Sequence, residues 1–353
     1  MHDKPRIKEN GNPYGAHRVI EPRGVLPQPA LKLDNSMDAI YDNEILVDVQ
    51  TLNIDSASFA QIREAAGRDE KIITDTILRI VAEKGKMQNP VTGSGGMFIG
   101  TVAAIGPKLE GKTDLKPGDK IASLVSLSLT PLNIEKIIGI KKGTEQVHVK
   151  AKAVLFESGI YAKIPKDLPE TLALAVLDVA GAPAQTAKLV SPGQTVAILG
   201  AAGKSGVLCS YEAARRAGVG GRVIGIEYSP KAVEKIKEYG FCSEAVEANA
   251  TDALACHAKV SALTGGRMAD VVINCVNIPN TEMASIMLCR EEGTVYFFSM
   301  ATSFTKSALG AEGVGRDVNM IIGNGYTRHH ADTAINILRE SPAIRAAYEK
   351  MYA

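Results

Sequence analysis

TVAILGAAGKSGVLCSYEAARRAG, from Thr195 to Gly218, carries the reading that decides the fold. An apolar strand runs into Gly200, is followed by Gly203 and Gly206, and gives way to a helical pattern. Glycine lets the backbone turn tightly and come close to a pyrophosphate, and a helix amino terminus offers unpaired N–H groups and a favourable dipole. The spacing is GxxGxxG rather than GxGxxG, and a glycine loop alone also reads as a plain turn. Its place between strand and helix favours nucleotide binding. Gly200, Ala202, Gly203, Lys204, Ser205 and Gly206 are the expected phosphate-side residues.

The next strand agrees. RVIGIEYSPKAVEKIKEYG places Glu227 at a strand end, ~20 residues beyond the loop, where an acid can bond both ribose hydroxyls. An acid there repels a 2′-phosphate, so NAD is favoured over NADP. Lys204 complicates that preference by adding positive charge near the phosphates. Tyr228 and Lys231 beside Glu227, with Cys275 and Ser299 in later strand segments, complete the expected cofactor-binding set. Cys275, in VVINCV, reads as a buried small apolar residue rather than a nucleophile.

Working outward, the chain changes character near residue 170. Before it, Glu44–Thr51, Phe98–Ile105, the end of Leu115–Val125 and Gln146–Val149 read as strands between turn signals. Ile72, Ile73, Ile77, Ile80 and Val81 share a helical face. After it, the apolar runs Thr195–Leu199, Arg222–Ile226, Asp270–Cys275, Gly293–Ser299 and Asp317–Ile322 alternate with helical patterns such as Lys231–Tyr239 and Thr251–Leu263. A final helical segment, Ala331 to Tyr352, is broken at Ser341-Pro342. The alternation predicts an α/β chain in which a β-rich domain, residues 1–170, precedes a doubly wound parallel sheet, residues 171–353.

Composition excludes several classes. The 353 residues are 45% hydrophobic and 22% charged, and 40 Lys+Arg against 39 Asp+Glu leave a net charge of +1. That balance gives no electrostatic support to a nucleic-acid or membrane-surface partner. No run is long enough to span a membrane, and the charged amino terminus does not read as a secretory signal. The five cysteines are odd in number and none are spaced CxxC. A reducing cytoplasm is therefore expected.

ALTGGRMADVVINCV (Ala262–Val276), the GAAGKSG loop and FIGTVAAIGPKLEGKTDLKPGDKI (Phe98–Ile121) together resemble the medium-chain dehydrogenase/reductase superfamily. That superfamily includes zinc alcohol dehydrogenases and quinone oxidoreductases. The resemblance, over about residues 44 to 340, implies a GroES-like catalytic domain, a Rossmann domain and substrate in the cleft between them. It also implies a homodimer or larger homo-oligomer, paired through the sixth Rossmann strand, here Asp317–Ile322. Departures are informative. Where the zinc enzymes have a Cys ligand, TLNIDSASF has Asp55; their GHE motif becomes Gly95-Gly96-Met97; near their third ligand lies Leu177-Asp178-Val179. A catalytic zinc needs about three protein ligands, so none is expected. The usual return to the catalytic domain after the sixth strand is also missing from the pattern.

A narrower resemblance, carried by Gly15–Asn35, Phe297–Gly315 and IIGNGYTRHHAD, is to superfamily amine dehydrogenases that oxidatively deaminate a small diamino acid in lysine fermentation. Such chemistry needs a base to take an ammonium proton and acid–base groups for iminium hydrolysis. The resemblance makes Asp55 the leading acid, although an Asp before Ser56 and Ser58 is also a helix cap. Asp178 is a second acid candidate, and Arg18 a partner for the substrate carboxylate, against surface or helix-end roles for both. His148 reads as a strand-face residue, and His329-His330 lack a third metal ligand. Two other readings remain: a zinc-independent reductase of enones or quinones, and a dinucleotide-binding protein without catalysis.

Overall fold

The computed structural model describes residues 5–141, 143–323 and 325–352. The first four residues of the amino-terminal stretch, and Asn324 within IIGNGYTRHHAD, lie outside it. The chain divides into two compact units, one running to Leu174 and the other from Ala175 to Met351.

In the first unit, four short strands, β1 (Arg6–Lys8), β2 (Val19–Glu21), β3 (Lys32–Leu33) and β4 (Ala39–Tyr41), precede a six-stranded sheet. That sheet comprises β5 (Glu44–Asn53), β6 (Met97–Ile105), β7 (Lys120–Ser123), β8 (Leu132–Ile140), β9 (Gln146–Phe156) and β10 (Tyr161–Lys163). Its order is β10-β7-β6-β5-β9-β8, and every pair is antiparallel. Alternate residues of β5 and β9, such as Val47, Val49, Val147 and Val149, point into one apolar core.

Two helices, α1 (Ser56–Ala65) and α2 (Glu70–Lys84), close that core with Phe59, Ile62, Ile73, Ile77, Ile80 and Val81. Asp69 starts α2 by accepting the N–H groups of Lys71 and Ile72, at 2.8 and 3.1 Å. Gly85, at φ +67°, ends it. The expected helical face is present except for Ile72, which is half exposed.

Helix α3 (Glu170–Leu177) holds the division between the units, and α4 (Gly181–Leu189) follows. The second unit is a parallel sheet of β11 (Thr195–Leu199), β12 (Arg222–Glu227), β13 (Glu244–Glu247), β14 (Ala269–Asn274), β15 (Cys289–Phe297) and β16 (Asn319–Ile322). The order β13-β12-β11-β14-β15-β16, all parallel, is the doubly wound dinucleotide-binding arrangement. Helices α5 (Lys204–Ala217), α6 (Pro230–Tyr239), α7 (Ala253–Thr264), α8 (Glu282–Leu288), α9 (Phe304–Gly313), α10 (His330–Glu340) and α11 (Pro342–Tyr352) complete it.

Strand alternation explains the two layers of helices. Val196 and Ile198 of β11 join Cys209, Ala213 and Ala217 of α5 in one core. Ala197 and Leu199 join Cys256, Val260, Ile286 and Leu288 on the opposite face. Each buried aliphatic side chain of this kind contributes about 1.5–3 kcal/mol, so both faces must be covered for the sheet to persist. The fold class is the mixed α/β architecture expected, with a separate antiparallel-sheet unit.

Candidate functional site

The glycine loop leaves β11 at Gly200, which takes φ +79°. Gly203 then stands at the start of α5, where no side chain caps the helix. The first N–H groups of an α-helix lack intrahelical partners, and their dipole attracts an anion. A Cβ on Gly206 would lie 1.9 Å from the Gly200 carbonyl oxygen, so glycine is required for α5 to pack on the loop. A Cβ on Gly203 would meet only that same oxygen, at 3.2 Å, so the other side of the loop is open.

The remaining cofactor candidates gather at the carboxyl ends of the central strands. Glu227 ends β12 and accepts the Ala202 N–H at 2.9 Å. Tyr228 and Lys231 are exposed just beyond it. The Ser299 hydroxyl, two residues after β15, accepts the Ala301 N–H at 3.1 Å. Cys275 departs from its sequence reading: it lies just past the end of β14 and is half-buried rather than enclosed in the strand. Its N–H donates to the Leu199 carbonyl at 2.9 Å, and its sulfur is 3.9 Å from that of Cys209 in α5. The open loop, the uncapped helix and a carboxylate at the neighbouring strand end fit a nicotinamide dinucleotide.

Lys204 and Asp178 meet each other. The Lys204 ammonium is 2.7 Å from the Asp178 carboxylate, and both side chains are largely enclosed. The lysine charge is therefore matched by a carboxylate rather than left for the phosphates. Asp178, in turn, holds a cation already present in the chain.

Asp55 caps α1: its Oδ1 accepts the Ser58 N–H at 3.0 Å. The other carboxylate oxygen, Oδ2, is buried and has no hydrogen-bond partner in the chain. A buried polar atom left unpaired costs about 1–3 kcal/mol, more when charged. The cap and the acid readings are thus compatible, one oxygen serving each. Gly96 closes the other side of this segment at φ +92°; a Cβ there would be 2.0 Å from the Asn53 carbonyl oxygen and 2.7 Å from the Asp55 nitrogen. The backbone itself excludes a histidine side chain at that position.

Residues 17–165 match the family described as the L-erythro-3,5-diaminohexanoate dehydrogenase N-terminal domain, and residues 206–315 match that described as zinc-binding dehydrogenase. Over 342 residues the chain is 62% identical to L-erythro-3,5-diaminohexanoate dehydrogenase of Acetoanaerobium sticklandii, covering 97% of this chain and 99% of the relative. The chain belongs to the L-erythro-3,5-diaminohexanoate dehydrogenase family. The enzyme of that name from Fusobacterium nucleatum is 58% identical over 344 residues, 98% of this chain and 99% of its own. A mycobacterial protein solved in complex with NADPH shares the fold, with a TM-score of 0.54 at 17% identity over 88% of each chain.

Within this diaminohexanoate dehydrogenase family chain, Arg18 departs from its expected role. Its side chain is fully enclosed, and all five N–H donors are engaged. Nε and Nη2 reach the two Glu44 oxygens at 2.8 and 2.6 Å; Nη2 also donates to the Ala39 carbonyl, and Nη1 to those of Asp34 and Ser36. His17 adds a 2.7 Å contact to Glu44. Burial pushes the Glu44 carboxyl up, but the bonds from Arg18 and His17 outweigh it and hold it below its ordinary value. Arg18 therefore fastens the amino-terminal segment to β5 and has no donor left for a substrate carboxylate.

His148 sits exposed on β9 and meets the Thr51 hydroxyl at 3.2 Å. His329 is exposed and His330 buried. Among the described residues, no three His, Cys, Asp or Glu side chains gather as a metal site. Sequence reasoning missed Gln146, a buried amide at the start of β9. Its only signal was a polar residue heading a strand of alternating apolar positions.

Proposed function

We propose that the chain catalyses the NAD(P)-dependent oxidative deamination of L-erythro-3,5-diaminohexanoate to 5-amino-3-oxohexanoate. The observation that carries this reading is its 62% identity, across 97% of the chain, to a dehydrogenase named for that substrate. Overall, substrate ammonium, oxidised cofactor and water become ketone, free ammonium, reduced cofactor and one proton.

The glycine loop and the start of α5 hold the pyrophosphate, and Glu227 holds the adenosine ribose, which favours NAD. Bound there, the dinucleotide supplies the hydride acceptor. Asp55 uses its unpaired Oδ2 to hold the substrate ammonium and take its proton, because only a neutral amine has the lone pair that expels hydride. Once that proton has passed to solvent, the same carboxylate takes a proton from the water that attacks the substrate iminium. No zinc is needed to polarise an alkoxide, and Asp55 with Gly96 does not provide a ligand set for one. The protein works in the cytoplasm as a homodimer, with β16, the sheet's edge strand, as the pairing surface.

A spectrophotometric panel tests the reading: purified protein, NAD or NADP, and diamino acids, monoamines and alcohols. Reduced cofactor forming with 3,5-diaminohexanoate supports it. Failure with that substrate, alongside reduction of an enone or quinone by NADPH, would replace it with the reductase reading.

A further inference from the structure

Gln146 is 1% exposed, yet neither its amide nitrogen nor its amide oxygen has a hydrogen-bond partner in the chain. Primary amides in protein interiors are almost always paired, because they carry both a donor and an acceptor. The residue lies opposite Asn53 in the pairing of β9 with β5. Strand β5 ends at Asn53, and Asp55 follows two residues later as the cap of α1, so Gln146 stands across the sheet from the residue that leads into that cap. Two contacts fasten the two segments together there: the Ile54 N–H donates to the Glu145 carbonyl, and the Ser56 hydroxyl donates to the Glu145 carboxylate, both at 3.1 Å.

Among the described residues, six buried side-chain atoms lack a partner, and three of them are Asp55 Oδ2 and the two Gln146 amide atoms. Asp55 is two residues from Asn53, the cross-strand partner of Gln146, so all three atoms belong to residues at the same end of the β5–β9 pairing. A carboxylate and an amide ask for complementary things. Asp55 takes only donors, whereas Gln146 offers N–H to an anion and an oxygen to a cation. The matching ligand class is a zwitterion with an ammonium and a carboxylate a few bonds apart.

We propose that Gln146 is a substrate-binding residue, which receives the carboxylate of the amino-acid substrate through Nε2 and an ammonium through Oε1, beside Asp55. This deepens the activity proposed above and rests on it for the identity of the substrate.

Gln146→Met tests it, since methionine keeps the length and removes both polar groups. The KM for 3,5-diaminohexanoate should rise by about tenfold or more, as expected where a site loses a bond to a substrate group. The dissociation constant for NADH should stay as in wild type. The melting temperature should hold or rise, because the fold gives up two unpaired polar atoms. A KM like that of wild type overturns the inference. A melting temperature lowered by several degrees, or failure to fold, also overturns it, by making the amide part of the scaffold. If wild type does not turn over 3,5-diaminohexanoate at all, the activity reading fails separately. The inference is then decided by the melting shift that this compound produces. A rise in wild type that is lost in Gln146→Met sustains it; equal shifts, or none, end it.

Discussion

The Glu227 carboxylate accepts the Ala202 backbone N–H at 2.9 Å, tying the end of β12 to the glycine loop. An anion held there repels a second anion brought to the same ribose. Glu227→Ser should therefore raise the ratio of kcat/KM for NADP over NAD by about tenfold or more, equivalent to about 1.4 kcal/mol. Steady-state rates with both cofactors measure it. An unchanged ratio would show that Glu227 does not meet the ribose.

Two glycines of the loop should fail differently. Gly203 has an extended backbone, φ −76° and ψ 173°, that valine also adopts, and a Cβ there faces the open side. Gly203→Val should leave the melting temperature near wild type while weakening NADH binding by about a hundredfold, the effect of a branched side chain where phosphate must approach. Gly206→Ala should instead melt early, since its Cβ would lie 1.9 Å from the Gly200 oxygen. Calorimetric titration and thermal melts separate the two. Equal behaviour would mean that the loop is only a turn.

Lys86 predicts a pH dependence of stability. It is fully buried and donates to the Pro27 and Gln28 carbonyls at 2.7 and 3.3 Å. Burial, with help from the charge of Lys84, lowers its pKa from 10.5 to about 8. Between those values the unfolded chain binds the extra proton, so the lysine's contribution to stability rises with pH through that interval and is constant below it. The rise amounts to about 3 kcal/mol. Urea denaturation at both ends of the interval should show it in wild type and not in Lys86→Met. Parallel profiles would contradict it.

Asp55→Asn keeps the helix cap, since asparagine caps about as well as aspartate, and removes the charge and basicity of Oδ2. Amine turnover should fall by about a hundredfold or more, in line with loss of a general base. NADH affinity and melting temperature should change little. A chelator should leave the wild-type rate unchanged, because Gly96 admits no ligand side chain. Undiminished turnover in the variant would remove Asp55 from the reaction.

The parallel sheet was legible because its strands are buried on both faces and read as apolar runs beside glycine, proline and capping signals. The exception is β13, whose sequence EAVE has an acid at each end of a half-buried edge strand. Strand β8 was hidden for a related reason: LNIEKIIGI has no clean alternation, and its register shifts twice against β9. Within the candidate site, the glycine loop and Glu227 stand where the sequence pattern puts them, at the β11–α5 turn and the end of β12, because chain geometry there constrains residue type. The site was not legible where meaning depends on a distant partner. Nothing near Arg18 in sequence reveals Glu44, nothing near Lys204 reveals Asp178, and the isolation of Gln146 is visible only once every neighbour is placed.

The most direct test of the central claim is the stoichiometry of ammonia released to cofactor reduced, with 3,5-diaminohexanoate as sole substrate. Oxidative deamination predicts one ammonium for each NADH, appearing together and absent without cofactor. NADH formed without ammonia, or no reduction of either cofactor by this substrate, would contradict the account.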